Sequence, residues 1–214
     1  MSIRSTAAAA LALLAASCSA PQSGAVSLFG VCAFPQPSNG GCSFASGGCG
    51  ASLAGTAIFD VVDAAANGGA FDLPLQVNNQ ALSSASTANG TADVDTAYVQ
   101  SFEITYTGTN IPSATIPVQL TVPSGTDSVF DVVLIPPDRV ASLPAVAGAY
   151  VDLVLDVKAT GVFLSGGSFT TQTLQVPVTL CATSGCLIVG CPAGKTITGQ
   201  CGGSFESAAT VTCQ

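Results

Sequence analysis

Between residues 57 and 180 the chain alternates apolar and polar positions with a period of two. Tyr98, Phe102, Ile104 and Tyr106 fall on one side and Glu103 and Thr105 on the other, the pattern of a half-buried strand. It recurs over 116–122, where Pro117 points to an edge or a strand start, over 151–157, where Asp152 and Asp156 take the outward face, and over 170–180. Denser apolar runs at 57–62 and 129–135 predict strands covered on both faces, and 71–77 adds another. Gly, Pro, Asn and Ser turns separate these segments, and no long helical period competes. The pattern predicts an all-β fold, an antiparallel β-sandwich of about seven or more strands. Residues 137–143 open with Pro137 and Asp138 and predict a turn or two of helix. The tetrapeptide Phe-Asp-Val-Val occurs at 59–62 and again at 130–133, too short a match to establish a repeat.

The N-terminus follows a different rule. Arg4 precedes an apolar run of Ala and Leu over 7–16, then Ser17 and Cys18, the layout of a secretory signal. A run of about a dozen residues is too short for a hydrocarbon core of roughly 30 Å, so cleavage is expected rather than a retained membrane helix. Ala15, Ala16 and Ser17 before Cys18 resemble the lipobox of bacterial lipoproteins, with Leu14 one place upstream of that family's favoured Leu. The resemblance implies that the Cys18 sulfur receives a diacylglycerol and that its freed amine becomes the new N-terminus. Ordinary secretion, with Cys18 left as a spare thiol, is the alternative.

The remaining cysteines are Cys32, Cys42, Cys49, Cys181, Cys186, Cys191, Cys201 and Cys213. An even set of eight in an exported chain reads as four disulfides, of unreadable connectivity. Three lie before residue 50 and five after residue 180, so complete internal pairing requires one or three bonds between the ends of the chain. Without histidine or a Cys-x2-Cys knuckle, structural zinc is the weaker explanation. The expected organisation is a signal peptide over 1–17, a lipid-anchored tether over 18–31, and a single sandwich domain over 32–214 with cysteine-rich segments at 32–49 and 181–213.

Charge removes some functions. All twelve acidic residues follow Cys18 but only three basic ones do, Arg139, Lys158 and Lys195, so the processed chain carries −9. Such a chain repels phosphate backbones, and nucleic acid is excluded as a partner. No second apolar run reaches 18 residues, which leaves the acyl chains on Cys18 as the membrane attachment.

Candidate chemistry is sparse. With no histidine, neither a Ser-His-Asp triad nor a Cys-His pair can form. The stretch from Gly190 to Thr196 is one residue short of a phosphate-binding loop and lies among cysteines. An envelope hydrolase would have to use paired carboxylates, yet Asp60, Asp63, Asp72, Glu103, Asp131, Asp152 and Asp156 read as solvent-facing strand or turn residues. A carbohydrate module would need exposed aromatic rings, and of Tyr98, Tyr106 and Tyr150 two fit the core stripe. Asn89, Asp93 and Asp95 offer the hard oxygen ligands of a weak calcium candidate. No other metal and no cofactor is expected.

The sequence from Leu73 to Gln80, the segment Pro177 to Cys181 and the following Cys186 also resemble a group of uncharacterised cysteine-rich bacterial lipoproteins. That resemblance implies an exported β-domain and transfers no catalytic residue. The expectation is a non-enzymatic structural or binding module, lipid-anchored in the cell envelope and facing the periplasm or the cell surface. Its partner there is not named by the sequence. Ser19 is not the Asp that marks inner-membrane retention in such lipoproteins, which favours the outer membrane.

Overall fold

The computed structural model describes residues 25–38, 42–44, 49–50, 52–53, 55–81, 94–144, 148–187 and 191–214. Along these the chain forms β1 (Val26–Val31), β2 (Ala57–Asp60), α1 (Val61–Asn67), β3 (Phe71–Asn79), β4 (Ala97–Thr107), β5 (Ala114–Val122) and β6 (Thr126–Ile135). It continues through α2 (Pro137–Val140), β7 (Tyr150–Phe163), β8 (Ser168–Thr170), β9 (Leu174–Cys181), β10 (Ile197–Cys201) and β11 (Thr210–Cys213). The predicted all-β fold is therefore present, with 11 strands among the described residues.

Two sheets enclose the core. The smaller has the order β1-β3-β6 and the larger β2-β9-β7-β4-β5, with β8 paired to β7. Phe71, Leu73, Leu75 and Val77 of β3 are wholly buried, as are Phe102 and Ile104 of β4, Leu155 and Val157 of β7 and Leu180 of β9. The Phe59 and Phe71 rings lie 5.1 Å apart between centroids. Two buried polar side chains join the layers: Tyr106 Oη donates to the Leu134 carbonyl at 3.2 Å, and Asn79 Nδ2 donates to the Asp95 and Val122 carbonyls at 2.8 and 3.0 Å. Burial pushes the Tyr106 hydroxyl up to about 12, so it keeps the proton this bond needs.

The structure departs from the sequence expectations at four places. Val26–Val31 pairs with β3, so the expected tether over 18–31 ends where this strand begins and the domain starts before Cys32. The run at 57–62 is a strand only to Asp60. Asp60 then caps α1 by accepting the Asp63 amide at 3.0 Å, and a side-chain oxygen at the N-cap supplies an acceptor that a strand would not. β2 pairs with β9 in parallel rather than antiparallel fashion, at the edge of the large sheet. Phe-Asp-Val-Val passes from strand to helix at 59–62 but stays within β6 at 130–133, so the two copies record no symmetry.

β4 contains the fourth departure. Its pairing with both β5 and β7 slips between Val99 and Ser101. The extra residue is a β-bulge, and it moves the buried set from Ala97 and Val99 to Phe102, Ile104 and Tyr106. A one-residue slip exchanges the two faces, so Tyr98, expected inside, faces out. The neighbouring strand must come close at this point, and it does so at Gly161. A Cβ there would overlap the Tyr98 carbonyl oxygen and lie 2.7 Å from the Phe169 ring. Gly161→Ala should cost about 1–3 kcal/mol in chemical denaturation by overpacking. Gly30→Ala, where a Cβ meets nothing within 4 Å, should stay within about 0.5 kcal/mol, and equal losses at the two sites would contradict this account.

Candidate functional site

Two features outside the core can carry chemistry or recognition: a cluster of carboxyl groups on the outer face of the small sheet, and a cleft on the outer face of the large one. The cluster comes from three segments. Asp72 stands on β3 and Asp131 on β6, near each other because β3 pairs Pro74 with Asp131. Glu206 arrives from the turn between β10 and β11.

Gly202 makes that turn possible with φ of +88°, and a Cβ there would lie 2.8 Å from both the Phe34 ring and Glu206 Oε1. The side chain of Glu206 is wholly buried. Its Oε1 accepts the Gly203 amide and its Oε2 accepts the Asp72 amide at 3.2 Å. Asp72 and Asp131 are diagonal neighbours across the β3–β6 pair, so each carboxyl stands in the field of the other. Burial pushes Glu206 up to about 9, and the charges of Asp72 and Asp131 add to the rise against the two amide bonds. Burial also raises Asp72 to about 7, with Asp131 as its charged neighbour, and burial raises Asp131 itself. At neutral pH the cluster retains protons that exposed carboxyls would release.

This placement corrects the solvent-facing reading for Asp60 and Asp72. Glu103, Asp131 and Asp152 are exposed and Asp156 is half-exposed, as expected. Asp60 is buried instead, with Oδ1 on the Asp63 amide and Oδ2 without a hydrogen bond, because it caps a helix inside the fold. Asp72 is half-buried because the C-terminal turn covers it. Asp63 accepts Ser184 Oγ at 2.7 Å and the Gly185 amide at 2.9 Å, and these bonds hold its carboxyl below the usual range.

The cleft on the large sheet encloses about 660 Å³ beside the β4 bulge. Tyr98, Gln100, Pro117, Gln119, Thr121 and Val162 line it, a neutral mixture of one ring, amides, a hydroxyl and apolar groups. Tyr98 is 38% exposed and Tyr150 is 63% exposed, so only Tyr106 of the three tyrosines belongs to the core. The bulge is the cause for Tyr98, since continuous alternation would have buried it. β5, where Pro117 stands, is an edge strand as that proline predicted. A second cleft of about 530 Å³ lies between the loop at 108–112 and Ser142 and Pro144, and no titratable side chain lines it.

The eight paired cysteines were named by sequence, and their partners come from the fold. The bonds are Cys32–Cys49, Cys42–Cys201, Cys181–Cys186 and Cys191–Cys213. Cys42–Cys201 is the bond that joins the two ends, satisfying the parity rule with one crossing. All eight sulfurs are thereby consumed, which leaves no thiolate among them for zinc. Cys18, Asn89 and Asp93 lie outside the described residues. Asp95 lies in the turn before β4, and its carbonyl oxygen is engaged by Asn79. Among the described residues no group of three or more Cys, Asp or Glu side chains is arranged to hold a metal ion.

Glu206 was missed by sequence reasoning altogether. It stands between Phe205 and Ser207 in turn-rich sequence, and nothing local distinguishes it from an exposed acid. Peptide mapping without reduction should return the four pairs above. Removing the crossing bond as Cys42→Ser with Cys201→Ser should cost about 5 kcal/mol by the chain-entropy model, against a sequence separation of only 5 for Cys181–Cys186 and a correspondingly smaller loss there. No protein-family model matches the chain, and no curated protein and no solved structure matches it significantly.

Proposed function

We propose that this chain is a lipid-anchored, non-enzymatic binding module of the cell envelope, and that it holds its partner in the cleft beside the β4 bulge. The observation that carries the reading is the outward turn of Tyr98 into a lining of Gln100, Gln119, Thr121, Pro117 and Val162. An amphipathic ring flanked by neutral donors and acceptors suits an uncharged polar partner surface. With 7% charged residues, the chain has little to offer a highly charged ligand. Four disulfides support residence outside the cytoplasm, where such bonds persist.

The anchor is Cys18. β1 begins at Val26, eight residues beyond it, so the tether is short and the domain rides close to the membrane. Ser19 favours the outer membrane. A neutral glycan is the second reading of the same cleft, favoured by the exposed Tyr98 ring beside two glutamines. The catalytic alternative would have to run through Asp72 and Asp131, and a hydrolytic activity abolished by Asp131→Asn would support it over the module.

Cys18→Ser should move the protein from the membrane fraction to the soluble fraction, and intact mass of the wild-type protein should show a thioether-linked lipid at Cys18. An underivatised Cys18 would remove the anchor. Tyr98→Ala in an anchor-free form should weaken co-sedimentation with isolated envelope material by about thirtyfold or more, the scale of an interface hot spot. Its melting temperature should stay close to that of the parent. Unchanged binding in that variant would rule out the cleft.

A further inference from the structure

β2 closes one side of the large sheet, and its outer edge presents backbone groups that must be paired or hidden. Residues 205–207 hide them. The Ser207 amide donates to the Ile58 carbonyl at 2.9 Å, the Asp60 amide to the Phe205 carbonyl at 2.8 Å, and the Ile58 amide to Ser207 Oγ at 2.8 Å. In the middle of this cover Glu206 turns its carboxyl to the small sheet and binds the Asp72 amide. The cover is therefore pinned across both sheets by one ionisable side chain.

The groups around that side chain are all acidic or neutral. β3 contributes Asp72, β6 contributes Asp131, and Phe34 comes from the N-terminal segment, while Asp60 of β2 turns its carboxyl to the Asp63 amide at the start of α1. The flanking residues Ser204, Phe205 and Ser207 carry no charge. Among the described residues the cations are placed elsewhere: Arg139 pairs with Asp138 at 3.6 Å, Lys158 stands opposite Glu103 across β4 and β7, and Lys195 lies in the turn before β10. Among the described residues no cationic side chain faces Glu206, so an ionised carboxyl there would have only the Gly203 and Asp72 amides to set against burial and two neighbouring carboxyl groups.

We propose that Glu206 is a proton-operated latch: protonated, it holds residues 203–207 over the edge of β2, and on ionising it releases that segment and uncovers the edge. The opening is local. Cys42–Cys201 holds the chain before the segment and Cys191–Cys213 holds it after. The sign follows from the protons bound. Glu206 at about 9 and Asp72 at about 7 are both raised above ordinary carboxyls, so closure binds protons that the open segment gives up. The cover is at full strength below the ordinary carboxyl range and is lost as pH rises through about 7 and then about 9. From the ordinary carboxyl range up to its own raised value each group lowers the closed-to-open ratio about tenfold per pH unit, so above about 7 Glu206 alone does so.

Hydrogen exchange on the disulfide-intact protein between pH 6 and 9, corrected for intrinsic rates, tests the latch. Protection at the amides of Asp60, Asp72, Gly203 and Ser207 should fall at least about a hundredfold, while amides of β4 and β7 keep theirs. Glu206→Gln removes the charge and should flatten that dependence. Asp131→Asn removes a repelling neighbour and should move the opening to higher pH. Protection that holds steady from pH 6 to 9, or that falls equally in Glu206→Gln, would overturn the proposal. Should Glu206→Gln fail to fold, Asp131→Asn decides, and an opening at the same pH as in the parent would overturn it.

Discussion

The outer face of β3 is the constraint on which the rest of this molecule depends. Antiparallel sheets commonly leave one face to solvent, but here Pro74 and Gln76 on the outer side of β3 are buried. The cover is supplied by the two ends of the chain. The Cys32 amide reaches the Pro74 carbonyl at 2.8 Å, the Cys49 amide reaches Gln76 Oε1 at 3.4 Å, and Glu206 takes the Asp72 amide. Cys42–Cys201 ties the two ends to each other, with Thr210 and Thr212 hydroxyls on the Pro35 and Pro37 carbonyls alongside. A disulfide of long span thus does for the small sheet what a third layer does in larger proteins.

The two sheets are joined by polar groups as well as by apolar packing. Tyr106 and Asn79 spend their donors on carbonyls of the opposite layer, and each bond is made in a dry interior where leaving it unmade would be costly. Glu206 is a third buried polar group and differs in accepting rather than donating, since it takes the Gly203 and Asp72 amides. The cleft beside Tyr98 arises from the same economy of means: one inserted residue in β4 and one glycine opposite it turn a position that alternation would bury out to the surface.

Legibility in the sequence followed the range of each interaction. The strands at 98–106, 116–122, 129–135 and 151–157 were readable because alternation is a local property, and the observed β4, β5, β6 and β7 contain them. β1 was hidden by Gly30, which interrupts its apolar run, and is held by β3, distant in the chain, whereas β10 was hidden by its short polar composition although its partner is the next strand, β11. Asp60 and Asp131 sit in identical tetrapeptides, yet one caps a helix and the other lines a sheet. Identical local sequence cannot specify that difference, and the neighbours in space do.

By itself the sequence determined the all-β class, the strand-forming segments and the number of disulfides, together with the requirement that an odd number of them join the two ends. Parity and periodicity are counting arguments and need no coordinates. The tertiary structure alone decided which cysteines meet, that a bulge turns Tyr98 outward, and that Glu206 is buried between Asp72 and the edge of β2. Each of those depends on which strands lie side by side, and that is set by the packing of the whole chain rather than by any segment of it.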